Sequence, residues 1–147
     1  RHIEWPIVIM LAAMIPIGQA LESTGITEMI AGGVVSLAGD LHVFWLLMII
    51  LVITMLITDV INNAATAVIM APFSVNIAVQ LGQPLEPFLM VVAVGASCAF
   101  LTPIGHQCNT LVMGPGNYKF SDYWRLGLPI DILIVLTSIP MILFVWL

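Results

Sequence analysis

Long apolar runs separated by short polar breaks organise the whole chain. Residues 5–20 are almost wholly apolar and lead into Leu21-Glu22-Ser23-Thr24-Gly25, which predicts a first span over 1–25, kinked at Pro16 and Gly18. Residues 26–40 are a milder amphipathic piece with Glu28 and many small residues. It is too short to cross a bilayer and reads as a surface helix. Residues 43–57 have strong membrane-helix character and end at Thr58-Asp59-Val60-Ile61-Asn62-Asn63, after which the chain is apolar again to 81. Two half-length apolar arms around a polar knot predict a re-entrant helical hairpin over 41–82, with 58–63 at its tip.

The theme repeats over 87–113. An apolar run rich in small residues gives way to Thr102-Pro103-Ile104-Gly105-His106-Gln107-Cys108-Asn109-Thr110 and then to Leu111-Val112-Met113. Proline and glycine inside a polar stretch predict one span unwound in its middle. Residues 114–125 form a polar, aromatic loop, and 126–147 form the last span, interrupted by Pro129, Asp131 and Pro140. The expected fold is therefore an all-α integral membrane domain. It has about three spanning helices, one broken at mid-membrane, with a surface helix and a re-entrant hairpin.

Composition removes the competing classes. Of 147 residues, 61% are hydrophobic and 7% charged, against roughly a quarter charged in a soluble domain. Three Lys+Arg against eight Asp+Glu, a net charge of −5, cannot supply the basic face that nucleic acid requires. The three cations also set an orientation. If the first, broken and last spans cross and the hairpin does not, Arg1, Lys119 and Arg125 share one side. By the positive-inside rule that side is the cytoplasm. The hairpin then enters from outside, 114–125 is a cytoplasmic loop and the C-terminus lies outside. The chain opens Arg1-His2-Ile3 and ends within an apolar run, so it is expected to be part of a longer membrane protein. Cys98 and Cys108, in apolar surroundings, read as small buried hydrophobes.

Two polar breaks meeting at mid-membrane point to transport. Broken helices expose N–H groups that hold anions and C=O groups that hold small cations. Thr58, Asn62, Asn63, Thr66, Asn109 and Thr110 add neutral ligands for Na⁺ or an organic anion, and Asn63 follows Asp59 at i+4. No nucleophile–base set or metal cluster stands in the sequence, so no enzymatic chemistry and no cofactor is expected. Asp131 is expected near the interface, at the start of the last span, and Glu86 in a loop.

These breaks also carry a resemblance. Asn62-Asn63-Ala64-Ala65-Thr66-Ala67 followed by Ala71-Pro72 resembles the hairpin-tip motif of the divalent anion/sodium symporters, the dicarboxylate, citrate and sulfate permeases of the ion-transporter superfamily. Ser97-Cys98-Ala99-Phe100-Leu101-Thr102-Pro103-Ile104-Gly105 with Asn109 resembles that family's unwound site. The 114–123 loop with Gly127-Leu128-Pro129 is similar to its bacterial branch. The resemblance implies the C-terminal half of an inverted-repeat transporter in the bacterial inner membrane, with the N-terminal repeat outside this chain and a homodimeric scaffold. It implies sodium as the coupling ion, held by Thr58, Ile61 (backbone), Asn63 and Gly105 (backbone). It implies a small divalent anion, dicarboxylate or sulfate, carried by an elevator-type mechanism and held by Asn63, Ala64 and His106, to which the polar breaks themselves add Asn62, Asn109 and Thr110 as substrate-binding candidates. Asn62 stands where the family often has Ser, and Ala64 and His106 where it often has Thr. An imidazole at 106 would favour an oxyanion such as sulfate and add pH dependence. The alternatives are an arsenite or Na⁺/H⁺ antiporter of the same superfamily, with Asp59 and His106 as proton carriers, or a non-transporting membrane fragment.

Overall fold

The computed structural model describes residues 42–147, together with isolated positions 9, 12, 16, 20, 23–25, 29, 32 and 33. The expected first span, 1–25, and surface helix, 26–40, fall outside the described residues except at those positions. Five helices and no strand are found among the described residues of 42–147. They are α1 (Val43–Thr58), α2 (Asn63–Gln80), α3 (Leu85–Ala96), α4 (Gln107–Met113) and α5 (Phe120–Trp146).

Each boundary has a local cause. His42 opens α1 by accepting the Phe44 N–H on Nδ1 at 3.3 Å. The polar stretch 59–62 is a tight turn, and Asn62 starts α2 by accepting the Ala65 N–H at 2.9 Å. This satisfies one of the donors that any helix start leaves free. Gly82, at φ +63°, closes α2 in the left-handed conformation, and the Gln83 N–H returns to the Ala78 carbonyl at 2.9 Å. Pro84 and an acidic first turn at Glu86 then open α3.

Helix length separates the elements. At ~1.5 Å per residue, α1 and α3 (16 and 12 residues) reach roughly 24 and 18 Å, short of a hydrocarbon layer of about 30 Å. By length and apolar composition α2 and α5, with 18 and 27 residues, are candidate spans, although α2 at roughly 27 Å falls just short of that layer and α5 at roughly 40 Å exceeds it. Pro129 and Pro140 do not interrupt α5, contrary to the sequence reading, since an apolar helix tolerates the loss of single backbone bonds. The last helix also starts earlier than expected. The Asp122 carboxylate accepts the Lys119 N–H at 2.8 Å, so the aromatic segment from Phe120 is the first turn of α5 rather than loop.

α3 is the centre of the packing, in contact with α1, α2 and α5. Leu47, Ile50 and Leu51 of α1, Ile77 of α2, Phe88 and Val91 of α3 and Ile139 of α5 are essentially inaccessible and form one core. Gly95 makes the α1–α3 crossing close: a Cβ there would fall 2.8 Å from Thr54 Cβ and 3.2 Å from the Leu51 carbonyl oxygen. Ser74 of α2 donates to the Phe88 carbonyl at 2.9 Å and ties the hairpin to α3 from the other side. The outer face of α5 is the opposite. Leu126, Leu133, Leu136, Met141 and Phe144 are all exposed, a bare apolar stripe that only lipid or further protein would cover. At its start Tyr118, Phe120 and Trp124 stand exposed beside Lys119 and Arg125, the residue types of a membrane interface.

Candidate functional site

The turn at 59–62 meets the irregular segment 97–106 that separates α3 from α4. Thr58, the last residue of α1, is fully buried. Its hydroxyl donates toward the Ala96 carbonyl at the end of α3 and toward Asn63 Oδ1, each at 3.0 Å. Asp59 accepts the Leu101 N–H on Oδ1 at 3.0 Å. Its backbone carbonyl accepts the Thr102 hydroxyl, and that hydroxyl oxygen accepts the N–H groups of Gly105 at 3.1 Å and Ile104 at 3.3 Å. Gly105 is buried against the tip. A Cβ there would lie 2.9 Å from the Thr58 carbonyl oxygen and 3.0 Å from Asp59 Cα, so this contact requires glycine.

The structure thus brings together Thr58, Asn63 and Gly105, three of the four residues expected around a cation. Ile61, the fourth, lies in the turn, where its N–H bonds the Ile57 carbonyl at 2.9 Å and its side chain is partly exposed. The i+4 spacing of Asp59 and Asn63 does not put them on one helix face, because the non-helical turn 59–62 separates the two helices. Asn63 meets Thr58 instead.

The residues expected around an anion divide into two groups. Asn62 and His106 are exposed and cap helices: Asn62 Oδ1 takes the Ala65 N–H, and His106 Nδ1 takes the Cys108 N–H at 3.2 Å. Ala64 follows Asn63 in the first turn of α2, half-buried. Asn109 and Thr110 differ from expectation. They sit on α4, not in the unwound stretch, which ends at His106. From there they hold the break in shape. Asn109 Nδ2 donates to the carbonyls of Ala99 (2.7 Å) and Thr102 (3.1 Å), and Thr110 Oγ1 donates to that of Pro103 (2.6 Å). The cause is backbone satisfaction: irregular backbone needs donors from elsewhere. Tyr123 extends the brace by donating its hydroxyl to the Asn109 carbonyl at 2.7 Å.

Asp131 is 8% exposed, packed on the inner face of α5. One turn earlier on the same face, Gly127 lies flush on the break, since a Cβ there would be 2.5 Å from the Phe100 carbonyl oxygen. Asp59 Oδ2, Asp131 Oδ1 and Thr66 Oγ1 are buried without a hydrogen-bond partner among the described residues.

Thr102 and Tyr123 are the site-supporting residues that sequence reading passed over. A Thr before Pro-x-Gly is a sequence signal for a hydroxyl that closes a local turn. Nothing in the sequence pairs Tyr123 with position 109.

Two of the cavities lie away from the tip. One of about 370 Å³ lies between the break and the start of α5, beside Phe100, Asn109, Tyr123 and Gly127. The other, about 290 Å³, is an apolar groove between α1 and α5 with Asp131 as its one acidic lining residue. At the tip itself the rim is open: Val60 is 73% and Ile104 68% exposed.

The chain matches the model of a family described as citrate transporter over residues 1–147. It is 35% identical over 144 residues to an uncharacterized transporter of Synechocystis, covering 98% of this chain and 24% of that protein. It is 39% identical over 142 residues to the uncharacterized transporter YfbS of Escherichia coli, covering 97% and 23%. It is 28% identical over 139 residues to sodium/sulfate cotransporter 2 of Chlamydomonas reinhardtii, covering 94% and 16%. The chain therefore spans about a quarter, or less, of the length of these relatives.

Proposed function

We infer that this chain, which belongs to the citrate transporter family, forms one repeat of a secondary active transporter that couples uptake of a small divalent anion to sodium. The observation that carries this reading is the buried meeting of tip and break. Thr58, Asn63 and the backbone of Gly105 converge there without any cationic side chain nearby among the described residues. A cluster of hydroxyl, amide and carbonyl oxygens suits a weakly held monovalent cation, because it supplies partial negative charge without a fixed one. Thr58, Ile61, Asn63 and Gly105 are the proposed sodium ligands.

The anion would sit on the exposed rim next to that cation. Asn62, Asn63 and Ala64 lie at the start of α2, where free N–H groups and the helix dipole favour negative charge. In this reading His106 contributes from the break, whose carbonyls Asn109 and Thr110 hold from α4. The relatives named as sodium/sulfate cotransporters support sulfate as the first anion to test, with dicarboxylates next. In this reading α1 and α2 form the re-entrant hairpin and α3 with α4 the broken span. The open rim at Val60 and Ile104 is where the N-terminal repeat closes the site. The hairpin and broken span travel together as an elevator against a dimeric scaffold.

The test is uptake by the complete protein in proteoliposomes. Labelled sulfate, succinate and citrate are each offered with an inward sodium gradient and with choline in its place. Accumulation of one of them only with sodium is expected. Accumulation driven by a pH gradient without sodium would replace this reading by proton exchange, and no accumulation of any anion would remove it.

A further inference from the structure

Between the hairpin tip and the break runs a set of contacts that the proposed cation site does not itself use. Asp59 is 3% exposed and joins the two segments twice. Its Oδ1 accepts the Leu101 N–H at 3.0 Å, and its carbonyl accepts the Thr102 hydroxyl. Thr102 passes the connection on, since its hydroxyl oxygen holds the Gly105 N–H at 3.1 Å. Gly105 in turn lies flush against the Thr58 carbonyl and Asp59 Cα. The loop of contacts is closed, and it runs from the residue after Thr58 to the backbone of Gly105.

We propose that Asp59 and Thr102 form a clasp that sets the spacing between the two halves of the cation site, so that they are positioning residues for sodium rather than ligands or charge carriers. This rests on the sodium reading above and deepens it. Thr58 and Asn63 come from the hairpin and Gly105 from the break, so no covalent segment shorter than the chain between them fixes their distance. A cation held by oxygens on two elements is sensitive to that distance, because its ligands must approach together. The clasp supplies the constraint through three hydrogen bonds and a glycine-only contact. Asp59 works in it through one carboxylate oxygen and its backbone, while Oδ2 contacts no donor among the described residues. An amide has the same acceptor in the same place. The clasp therefore needs an acceptor oxygen at position 59 and a hydroxyl at position 102, and it does not need the negative charge.

That distinction gives the test. The complete protein is purified in detergent and its thermal unfolding is followed against sodium chloride, with choline chloride holding the ionic strength. The unfolding temperature without sodium reads general stability, and the half-saturating sodium concentration reads the site. Asp59→Ala and Thr102→Val are expected to raise the half-saturating concentration about tenfold, the scale of one lost buried hydrogen bond. Asp59→Asn and Thr102→Ser, which keep the acceptor and the hydroxyl, are expected to stay within about twofold of the parent. If Asp59→Ala fails to fold, Thr102→Val opens the clasp from the other side and reads the same quantity.

An unchanged sodium response in Asp59→Ala or Thr102→Val overturns the clasp while leaving the sodium reading intact. A response to Asp59→Asn as large as that to Asp59→Ala also overturns it, since the charge would then be what matters. A parent protein whose unfolding ignores sodium removes the sodium reading and the clasp with it.

Discussion

Thr58 and Gly105 lie buried where the hairpin tip meets the break, whereas Asn62 and His106, a few residues away on the same two segments, stand exposed. The four residues share a junction but not an environment. On the inner side each polar atom is held by protein: Thr58 by Ala96 and Asn63, Gly105 by Thr102 and the tip backbone. On the outer side Asn62 and His106 each spend one atom on a helix cap and leave the rest of the side chain facing outward. Buried, fixed oxygens are suited to a small ion that must be stripped of water. Exposed, partly committed amides and imidazole are suited to a larger solute arriving from outside. In the function proposed above, the cation takes the inner side and the anion the rim.

The largest expected effect breaks the inner side outright. Gly105→Val would drive side-chain atoms into the Thr58 carbonyl and Ala99, at positions where even a Cβ falls within 3.0 Å. Backbone cannot yield cheaply, so a loss of about 3 kcal/mol in stability is expected, with sodium-dependent uptake abolished. Thermal unfolding and uptake on the same preparation check it. A smaller effect follows from Thr58→Val. It leaves the Ala96 carbonyl and Asn63 Oδ1 without their donor, costs about 1–3 kcal/mol and should weaken sodium binding about tenfold, while Thr58→Ser restores most of both.

Gly95→Ala sharpens the comparison by being off the junction. Its Cβ would press on Thr54 at the α1–α3 crossing, so stability falls by about 1–2 kcal/mol. The half-saturating sodium concentration, read in the same unfolding series, should not move. The smallest structural effect is expected on the rim. Asn62→Ala removes a helix cap worth about 1 kcal/mol and is expected to lower anion affinity without altering the sodium response. Competition between labelled and unlabelled sulfate measures the first, and a sodium titration measures the second.

Much of this junction is legible in the sequence because membrane burial makes polarity conspicuous. Six consecutive residues from Thr58 interrupt two apolar arms, and Pro103 with Gly105 interrupts another run. The first interruption is where α1 ends and α2 begins, and the second falls inside the irregular segment 97–106, which opens earlier, at Ser97. Asn62 as a cap and Gly105 as a close contact follow from residue type once the breaks are placed. What the pattern hides is pairing across distance. Asp131 sits five residues into its apolar run with nothing in the sequence to show its burial, and in the fold it lies one turn after Gly127, which packs on the Phe100 carbonyl. Asn109 and Thr110 look like ligands because they are polar beside a break. In the fold they supply donors to the carbonyls of that break. The early start of α5 was hidden as well, because Lys119 is not a residue type that marks a helix start and only Asp122 captures its N–H.

The division between inner ion and outer solute is tested most directly by titrating the complete protein with sodium and following thermal unfolding, for Thr58→Val and His106→Ala side by side. The half-saturating sodium concentration should rise about tenfold in Thr58→Val and stay at the parent value in His106→Ala. A rise in His106→Ala with none in Thr58→Val would contradict the assignment of the cation to the buried side of the junction.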